Sequence, residues 1–390
     1  MGENVRMDII WILTNIWAVS FVLFIMIYFG YFLLVFVLAK LKGEKTEKVD
    51  DFTPFISILI PCHNAGSVID LKLKNTLEID YPKDKFEIIV VDDGSTDNTY
   101  VKLSEYVDRK KVKLIRQNQR LGKASAINRG LKECSDDIIV LTDDDVTIEK
   151  NAVQELVKNF GDPKVGAVVS SLKVASGKSR ISKMNALFFE FFRQKPRILE
   201  STLDSASFWS GALCAFRKSL LEKINENMIN DDRYILLKIR SKGHRAICDP
   251  ASHAYEREVE NIRDQLVQKR RRTAGVIQGT LKFKHMLLNP KYGWFGMLIF
   301  PAHFLQIILL PILLLIIQFL SPAVILVLLS SVEIFWFAIG ALILILLSLL
   351  KSGQKILYLI FYGVIVQIAI LAGAIDYITK KYTVLWVRVS

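Results

Sequence analysis

The sequence predicts an α/β domain on a mainly parallel sheet, inserted between an N-terminal transmembrane helix and a C-terminal bundle of transmembrane helices. Two observations carry that expectation. Short apolar strands alternate with helical stretches from residue 55 to residue 141, the pattern of βαβ units. Long uncharged spans lie at either end of this central region.

The first span runs from Ile9 to Ala39 without a Lys, Arg, Asp or Glu. A membrane helix needs roughly 20 residues and a signal-peptide core fewer, so 1–42 reads as a retained anchor. The polar stretch from Gly43 to Asp51 is a linker into a water-soluble domain over 52–285. Phe55-Ile56-Ser57-Ile58-Leu59-Ile60 is its first strand, stopped by Pro61-Cys62-His63-Asn64-Ala65-Gly66, and a helix over 68–77 follows. The second strand, Phe86 to Val91, ends in Asp92-Asp93-Gly94-Ser95 and feeds a helix over 96–107. A third strand over 112–115 and a third helix over 123–132 lead to Asp137-Ile138-Ile139-Val140-Leu141, which ends in Thr142-Asp143-Asp144-Asp145.

Open α/β sheets bind ligands outside the carboxyl ends of their strands, so the crevice should lie where strands one, two and four end. Beyond it come a helix over 151–159, a strand over 165–170, a tight bend at Phe208-Trp209-Ser210-Gly211-Ala212 and a helix over 230–242. The segment 181–198 sets Met184, Leu187, Phe188, Phe189, Phe191 and Phe192 among bases and is expected to lie on the membrane surface, with a core helix as the alternative. A second interfacial helix, long and basic, is expected over 261–284. Three apolar segments, 297–320, 323–350 and 356–378, form the C-terminal bundle over 293–379, broken at Ser321-Pro322 and at 351–355. A basic tail, 380–390, follows. Four spans around a cytoplasmic domain would leave Lys380, Lys381 and Arg388 outside, unless one segment is interfacial or re-entrant.

With 51 basic and 39 acidic residues the net charge is +12. The bases cluster beside the apolar spans, in 40–45 and 269–272. That placement fits the positive-inside rule and anionic membrane lipids rather than nucleic acid. The central domain is therefore expected on the cytoplasmic face of the plasma membrane. Cys62, Cys134, Cys214 and Cys248 show no metal-ligand or disulfide spacing. No oligomeric state is readable.

Three acid clusters, Asp92/Asp93, Asp143/Asp144/Asp145 and Asp231/Asp232, fall at one edge of the expected sheet. Carboxylates so gathered repel unless cations compensate, and a divalent metal holding a diphosphate meets that need. The alternatives are an Asp-rich turn at 143–145, a helix cap at 92–95 and a helix-dipole pair at 231–232. Neither GxxxxGK[ST] nor GxGxxG occurs, which leaves nucleotide-sugar chemistry in front of ATPase or dehydrogenase readings.

An ordered set of motifs sharpens this. Ile60-Pro61-Cys62-His63-Asn64 is followed by Val91-Asp92-Asp93-Gly94-Ser95-Thr96-Asp97, then by Asn118-Gln119-Arg120-Leu121-Gly122-Lys123-Ala124 with Asn128. Asp143-x-Asp145, Ser210-Gly211 with Phe216-Arg217, Asp231-Asp232 with Gly243-His244-Arg245, and Gln268-x-x-Arg271-Arg272 complete it. Across about 230 residues the chain resembles the membrane-integrated family-2 glycosyltransferases, which include cellulose, hyaluronan and poly-N-acetylglucosamine synthases.

The resemblance implies a GT-A fold and an inverting transfer from a UDP-sugar, with Mg2+ or Mn2+, to a glycan or lipid-linked acceptor. It implies that Asp92 and Asp93 hold uracil and ribose, that Asp145 ligates the metal, and that Asp143 contacts the sugar nucleotide and the metal, with Asp144 in the nucleotide-sugar site as the spacer between them. Pro61, Asn64, Lys123, Gln268, Arg271 and Arg272 complete the expected donor site. Asp232 becomes the general base, and Trp209, Ser210, Gly211 and Asp231 the acceptor side; a core role for Trp209 is the alternative. The resemblance extends to polysaccharide synthesis, although Arg272 stands where the synthases carry Trp in QxxRW, which weakens the case for a processive polymerase. Single-sugar transfer to a polyprenyl phosphate and a non-catalytic, nucleotide-sugar-binding membrane scaffold are the rivals.

Overall fold

The computed structural model describes residues 2–43, 46–108, 112–175, 180–257, 261–329 and 351–383. Helices α1 (Gly2–Ile25) and α2 (Tyr31–Lys42) are joined through a π-helical turn at Met26–Gly30 into one rod. Then come β1 (Ile56–Cys62), α3 (Ile69–Leu77), β2 (Phe86–Asp92), α4 (Thr99–Asp108), β3 (Lys113–Arg116), α5 (Lys123–Glu133) and β4 (Ile138–Thr142). The chain continues through β5 (Thr147–Ile148), α6 (Ala152–Lys158), β6 (Val165–Ala175), α7 (Arg180–Phe189), α8 (Lys195–Leu203) and β7 (Leu213–Arg217). Helix α9 (Asp231–Ser241), β8 (Arg245–Arg257), α10 (Ile262–Lys282), α11 (Phe300–Leu329) and α12 (Lys351–Ile378) complete it.

The eight strands form one sheet in the order β3-β2-β1-β4-β7-β6-β8-β5. The four strands from β3 to β4 are parallel, β7 runs against β4 and β6, and β6 and β8 are again parallel. Every residue of β1 and β4 is buried, because both faces of the sheet are covered. Leu59, Ile89, Val91, Ile139 and Leu141 enter one core; Ile58, Ile60, Ile88, Val90 and Val140 enter the other.

Pro61 and Cys62 extend β1 where the sequence predicts its turn. Strand β4 pairs β1 only as far as Leu59, so Pro61 sits where the strand has a single ladder partner and its missing N–H costs little. Strands β7 and β8 were not foreseen. In β8, Pro250 lies in an unpaired step between Asp249, opposite Ser170, and His253, opposite Ser171.

Two described helices are long and apolar enough to cross a membrane, Asp8–Lys42 and Phe295–Ile325, and Tyr362–Ile378 is a shorter apolar one. Their large apolar side chains are openly exposed, among them Trp11, Leu33, Leu41 and Phe319. The break expected at Ser321-Pro322 does not occur: α11 runs through both residues to Leu329. Apolar segment 323–350 lies outside the described residues from 330 onward, and the tail lies outside them from 384. The third segment is α12, whose first turn is the polar 351–355 stretch.

Within the expected interfacial segment 181–198, three residues near its end are buried against protein while Phe191 stays 45% exposed. Gln194, Pro196 and Arg197 are enclosed as α8 packs on α2 and β8, and α7 packs on α12. Glu200 of α8 joins the apolar helices to the domain. It accepts hydrogen bonds from Tyr31 Oη (2.7 Å), His303 Nε2 (2.6 Å), and Ser207 N and Oγ (2.9 and 3.1 Å).

Candidate active site

The carboxyl ends of β1, β2 and β4 meet the N-termini of α5 and α9, at the point where neighbouring strands leave β1 in opposite directions. Lys123 opens α5. Its Nζ lies 2.6 Å from Asp143 Oδ1, after β4, and 3.4 Å from Asp231 Oδ2, at the start of α9. Thus two of the three acid clusters converge on one lysine. Burial works against the Lys123 charge, but Asp143 and then Asp231 outweigh it and hold the ammonium above its usual range. Gly211 makes this packing possible: a Cβ there would stand 3.0 Å from Lys123 Nζ and 3.6 Å from Asp143 Oδ2.

The aspartate turn is braced from below by a residue that sequence reasoning passed over. Lys72 is buried, and its Nζ donates to Thr142 Oγ1 (2.7 Å) and Val146 O (2.8 Å), one on each side of the triple aspartate. Burial lowers its ammonium to about 8, although Asp143, Asp144 and Asp145 favour the charge. The signal was available: Ile69, Lys72, Leu73 and Thr76 share one helical face, and a lysine there needs a partner. Thr142 Oγ1 also donates to Ala212 O (2.7 Å), tying the turn to the Ser210-Gly211 bend. Asp144 is fully buried, whereas Asp145 is exposed and no described donor occupies its carboxylate.

Asp92 and Asp93 divide their work. Asp93 accepts from Leu121 N (2.7 Å), Gly122 N (2.8 Å) and Gln117 Nε2 (3.1 Å), so it holds the loop that delivers Lys123. Both of its oxygens thus already accept from protein donors, at the position where the resemblance implies a contact with uracil or ribose. Asp92 Oδ1 accepts from Ser95 N (3.0 Å), while Oδ2 is buried without a hydrogen-bond donor, 3.5 Å from Arg116 Nε. Asn64, at φ 51°, accepts from Thr96 N (2.9 Å) and so shapes the β1 turn.

Asp232 follows Asp231 in the first turn of α9. Burial first, and the neighbouring Asp231 second, raise its carboxyl to about 6 despite Lys123. Arg271 and Arg272 of α10 lie within electrostatic reach of Asp232 and Asp143, and Arg272 pairs with Glu256 at 3.1 Å. Gln268 is half-buried one turn earlier on the same helix. Ser210 caps the bend, its Oγ 3.4 Å from Ala212 N. Trp209 is 3% exposed and packs within the core, the arrangement of the core alternative.

Fit to a divalent ion rests on the donor set. Among the described residues no group of three or more His, Cys, Asp or Glu side chains forms a cage. One or two hard carboxylates are what Mg2+ or Mn2+ uses when a diphosphate supplies the remaining oxygens, and Asp145 is open for that. Asp143 is already ion-paired, so Asp145 is the better ligand of the two.

Residues 57–225 match the family Glycosyl transferase family 2. The probable glycosyltransferase YdaM of Bacillus subtilis (strain 168) is 31% identical over 245 residues, covering 59% of this chain and 57% of the relative. The poly-beta-1,6-N-acetyl-D-glucosamine synthase of Staphylococcus aureus (strain COL) is 27% identical over 199 residues, covering 50% and 48%. The chain thus spans about half the length of these curated relatives. A solved structure, the mannosyltransferase PcManGT from Pyrobaculum calidifontis in complex with GDP-Man and Mn2+, superposes with a TM-score of 0.72 at 25% identity. It covers 94% of this chain and 99% of that one.

Proposed function

From a chain that carries a Glycosyl transferase family 2 domain on a GT-A-like sheet, we propose an inverting glycosyltransferase. It moves a sugar from a nucleoside diphosphate sugar to a lipid-linked glycan acceptor at a membrane. The observation that carries this reading is the meeting of Asp143, Asp231 and Lys123 beside Asp232, with Asp145 open.

Asp232 acts as general base. A carboxylate near its own pKa at neutral pH takes the proton of the acceptor hydroxyl as that oxygen attacks the anomeric carbon. The bond from that carbon to the diphosphate oxygen breaks, and the nucleoside diphosphate leaves on the opposite face. Lys123 fixes Asp143 and Asp231 in position, and Arg271 with Arg272 offers positive charge to the departing diphosphate. A bound Mg2+ or Mn2+, held by Asp145 with Asp143 beside it, would supply Lewis-acid neutralisation of that diphosphate. Asp92 Oδ2, the oxygen of the Asp92/Asp93 pair without a donor, is the candidate acceptor for a base N–H.

A UDP-sugar is the donor the motif resemblance implies, whereas PcManGT was solved with GDP-Man. The exposed apolar surfaces of Asp8–Lys42 and Phe295–Ile325 support integration in the membrane, and the bases beside the spans favour a domain on the cytoplasmic face. Arg272 at the synthases' tryptophan position favours single transfer over polymerisation.

The test is incubation of the purified chain with UDP- and GDP-sugars, Mg2+ or Mn2+, and a membrane extract as acceptor. One organic-soluble glycolipid supports the reading; polymer of rising length from donor alone replaces it with a synthase. Nucleotide-sugar binding with no transfer or hydrolysis would leave only the scaffold.

A further inference from the structure

Two arginines near the site carry no carboxylate partner. Arg193 lies in a π-helical turn, Glu190–Gln194, and Arg197 follows one turn later on α8. Both guanidiniums approach one ring: their Cζ atoms lie 5.2 Å and 6.0 Å from the centroid of Phe208. Arginine ion pairs among the described residues fall elsewhere, on Arg116, Arg240, Arg270 and Arg272. Glu200, one turn beyond Arg197, is no substitute, since Tyr31, His303 and Ser207 occupy its oxygens.

Arg197 is the more telling of the two. It is 1% exposed, it donates from Nη2 to Ser170 O (3.2 Å) and to Gln194 Oε1, and its Nε and Nη1 have no hydrogen-bond partner among the described residues. A buried cation with two idle donors is costly unless an anion arrives. Burial lowers the Arg193 guanidinium below its usual range, and Arg272, a like charge nearby, adds to that.

The place of this pair defines which anion. On one side, the Phe192 ring packs at a tilt against Tyr28 of the apolar N-terminal rod, their centroids 5.0 Å apart. On the other, Phe208 leads through Trp209 and Ser210 to Gly211, which abuts Lys123 and Asp143. Three residues span at most about 10 Å of chain. Arg233, next to the base Asp232, donates to Ser207 O at 2.7 Å and so borders the same path. The pair therefore stands between the membrane helix and the reaction centre, on the acceptor's route.

We propose that Arg193 and Arg197 bind the phosphate or diphosphate of a lipid-linked acceptor at the membrane end of the Phe208–Gly211 segment. This rests on the transferase reading above and adds the acceptor's charged group to it. The fork of each guanidinium suits phosphate oxygens, and Phe208 orients both planes.

The test uses the full chain in phosphatidylcholine nanodiscs, with farnesyl phosphate, farnesol and inorganic phosphate as probes. Wild-type protein is expected to bind farnesyl phosphate at least tenfold more tightly than farnesol or inorganic phosphate. Arg193→Gln should erase that advantage, Arg193→Lys should restore part of it, and the Kd for UDP or GDP should stay unchanged in both. An advantage that survives Arg193→Gln overturns the proposal, as does a parallel loss of nucleotide affinity, which would put Arg193 in the donor site. Inorganic phosphate binding as tightly as farnesyl phosphate would overturn the lipid assignment. Donor hydrolysis by the wild-type samples reports separately on the transferase reading, so either can fail alone.

Discussion

Lys123 Nζ rests 2.6 Å from Asp143 Oδ1, and this contact fastens the end of a central strand to the start of a helix on the far side of the crevice. Asp231, at 3.4 Å, makes the lysine the hub of three elements. Replacing it by methionine strands two carboxylates in a mostly buried site. Lys123→Met is expected to cost about 3–5 kcal/mol in chemical unfolding. It should also lower transfer by at least about a hundredfold, the scale set by removing one preorganised electrostatic contact. An unfolding midpoint equal to wild type would show that the lysine is not the hub.

As the proposed base, Asp232 would give the reaction a pH signature. Burial and Asp231 raise its carboxyl to about 6, so below that value the group is protonated and unable to accept a proton. Turnover should rise about tenfold per pH unit on the acid side and level off above about 6. Asp232→Asn is expected to abolish transfer while leaving nucleotide affinity within about threefold. Wild-type turnover by that variant would remove the base assignment and reopen the scaffold reading.

Asp93 is expected to behave as a structural residue although it sits in a motif associated with donor binding. Its carboxylate accepts two backbone N–H groups at 2.7 and 2.8 Å. In Asp93→Asn, the amide NH2 must face one of these donors, which costs about 1–3 kcal/mol. Thermal unfolding should therefore fall in parallel with activity. Asp92→Asn, in contrast, should raise the donor KM more than it lowers kcat, because Asp92 Oδ2 is the oxygen without a protein donor.

Why the sequence divides these two acids poorly is physical. Strands β1, β2 and β4 were legible because parallel strands covered on both faces read as near-continuous apolar runs, and the aspartates at their ends marked the crevice. Which oxygen of Asp92-Asp93 meets the 117–122 loop depends on a contact across more than twenty residues, and no local pattern encodes it. Strand β8 was hidden by Pro250, which the sheet tolerates only through an unpaired step. The burial of α8 was hidden too, since Gln194 and Arg197 read as surface residues until the apolar rod covers them. Membrane-length spans and the family motifs needed only composition and order.

Glu200 should govern how firmly the apolar helices hold the domain. Burial alone would raise its carboxyl, but His303 and the bonds from Ser207 and Tyr31 outweigh this and hold it below the usual glutamate range. A depressed folded value means the stabilisation is complete above the ordinary glutamate pKa and is lost as pH falls through the folded one. Glu200→Gln turns one acceptor oxygen into a donor facing existing donors, at about 1–3 kcal/mol for each stranded group. Scanning calorimetry in detergent at pH 7 should show the loss, and Tyr31→Phe a smaller one. Equal melting of Glu200→Gln and wild type would dismiss the network as a stabilising joint.

Asp145 separates metal binding from folding. Its carboxylate is exposed and holds no described protein group, so Asp145→Ala should leave thermal unfolding within about 0.5 kcal/mol of wild type. If it is the ligand shared with the donor's diphosphate, the Mn2+ concentration giving half-maximal transfer should rise at least about tenfold in the variant, the loss of one first-contact carboxylate oxygen. Asp143→Ala should differ in kind, lowering stability as well, because it also removes the 2.6 Å partner of the buried Lys123. Chelation of the wild-type enzyme is expected to stop transfer while its melting temperature holds, since no group of three or more ligating side chains cages an ion among the described residues. A Mn2+ midpoint unmoved in Asp145→Ala, with transfer still abolished by chelator, would shift the metal contact to Asp143.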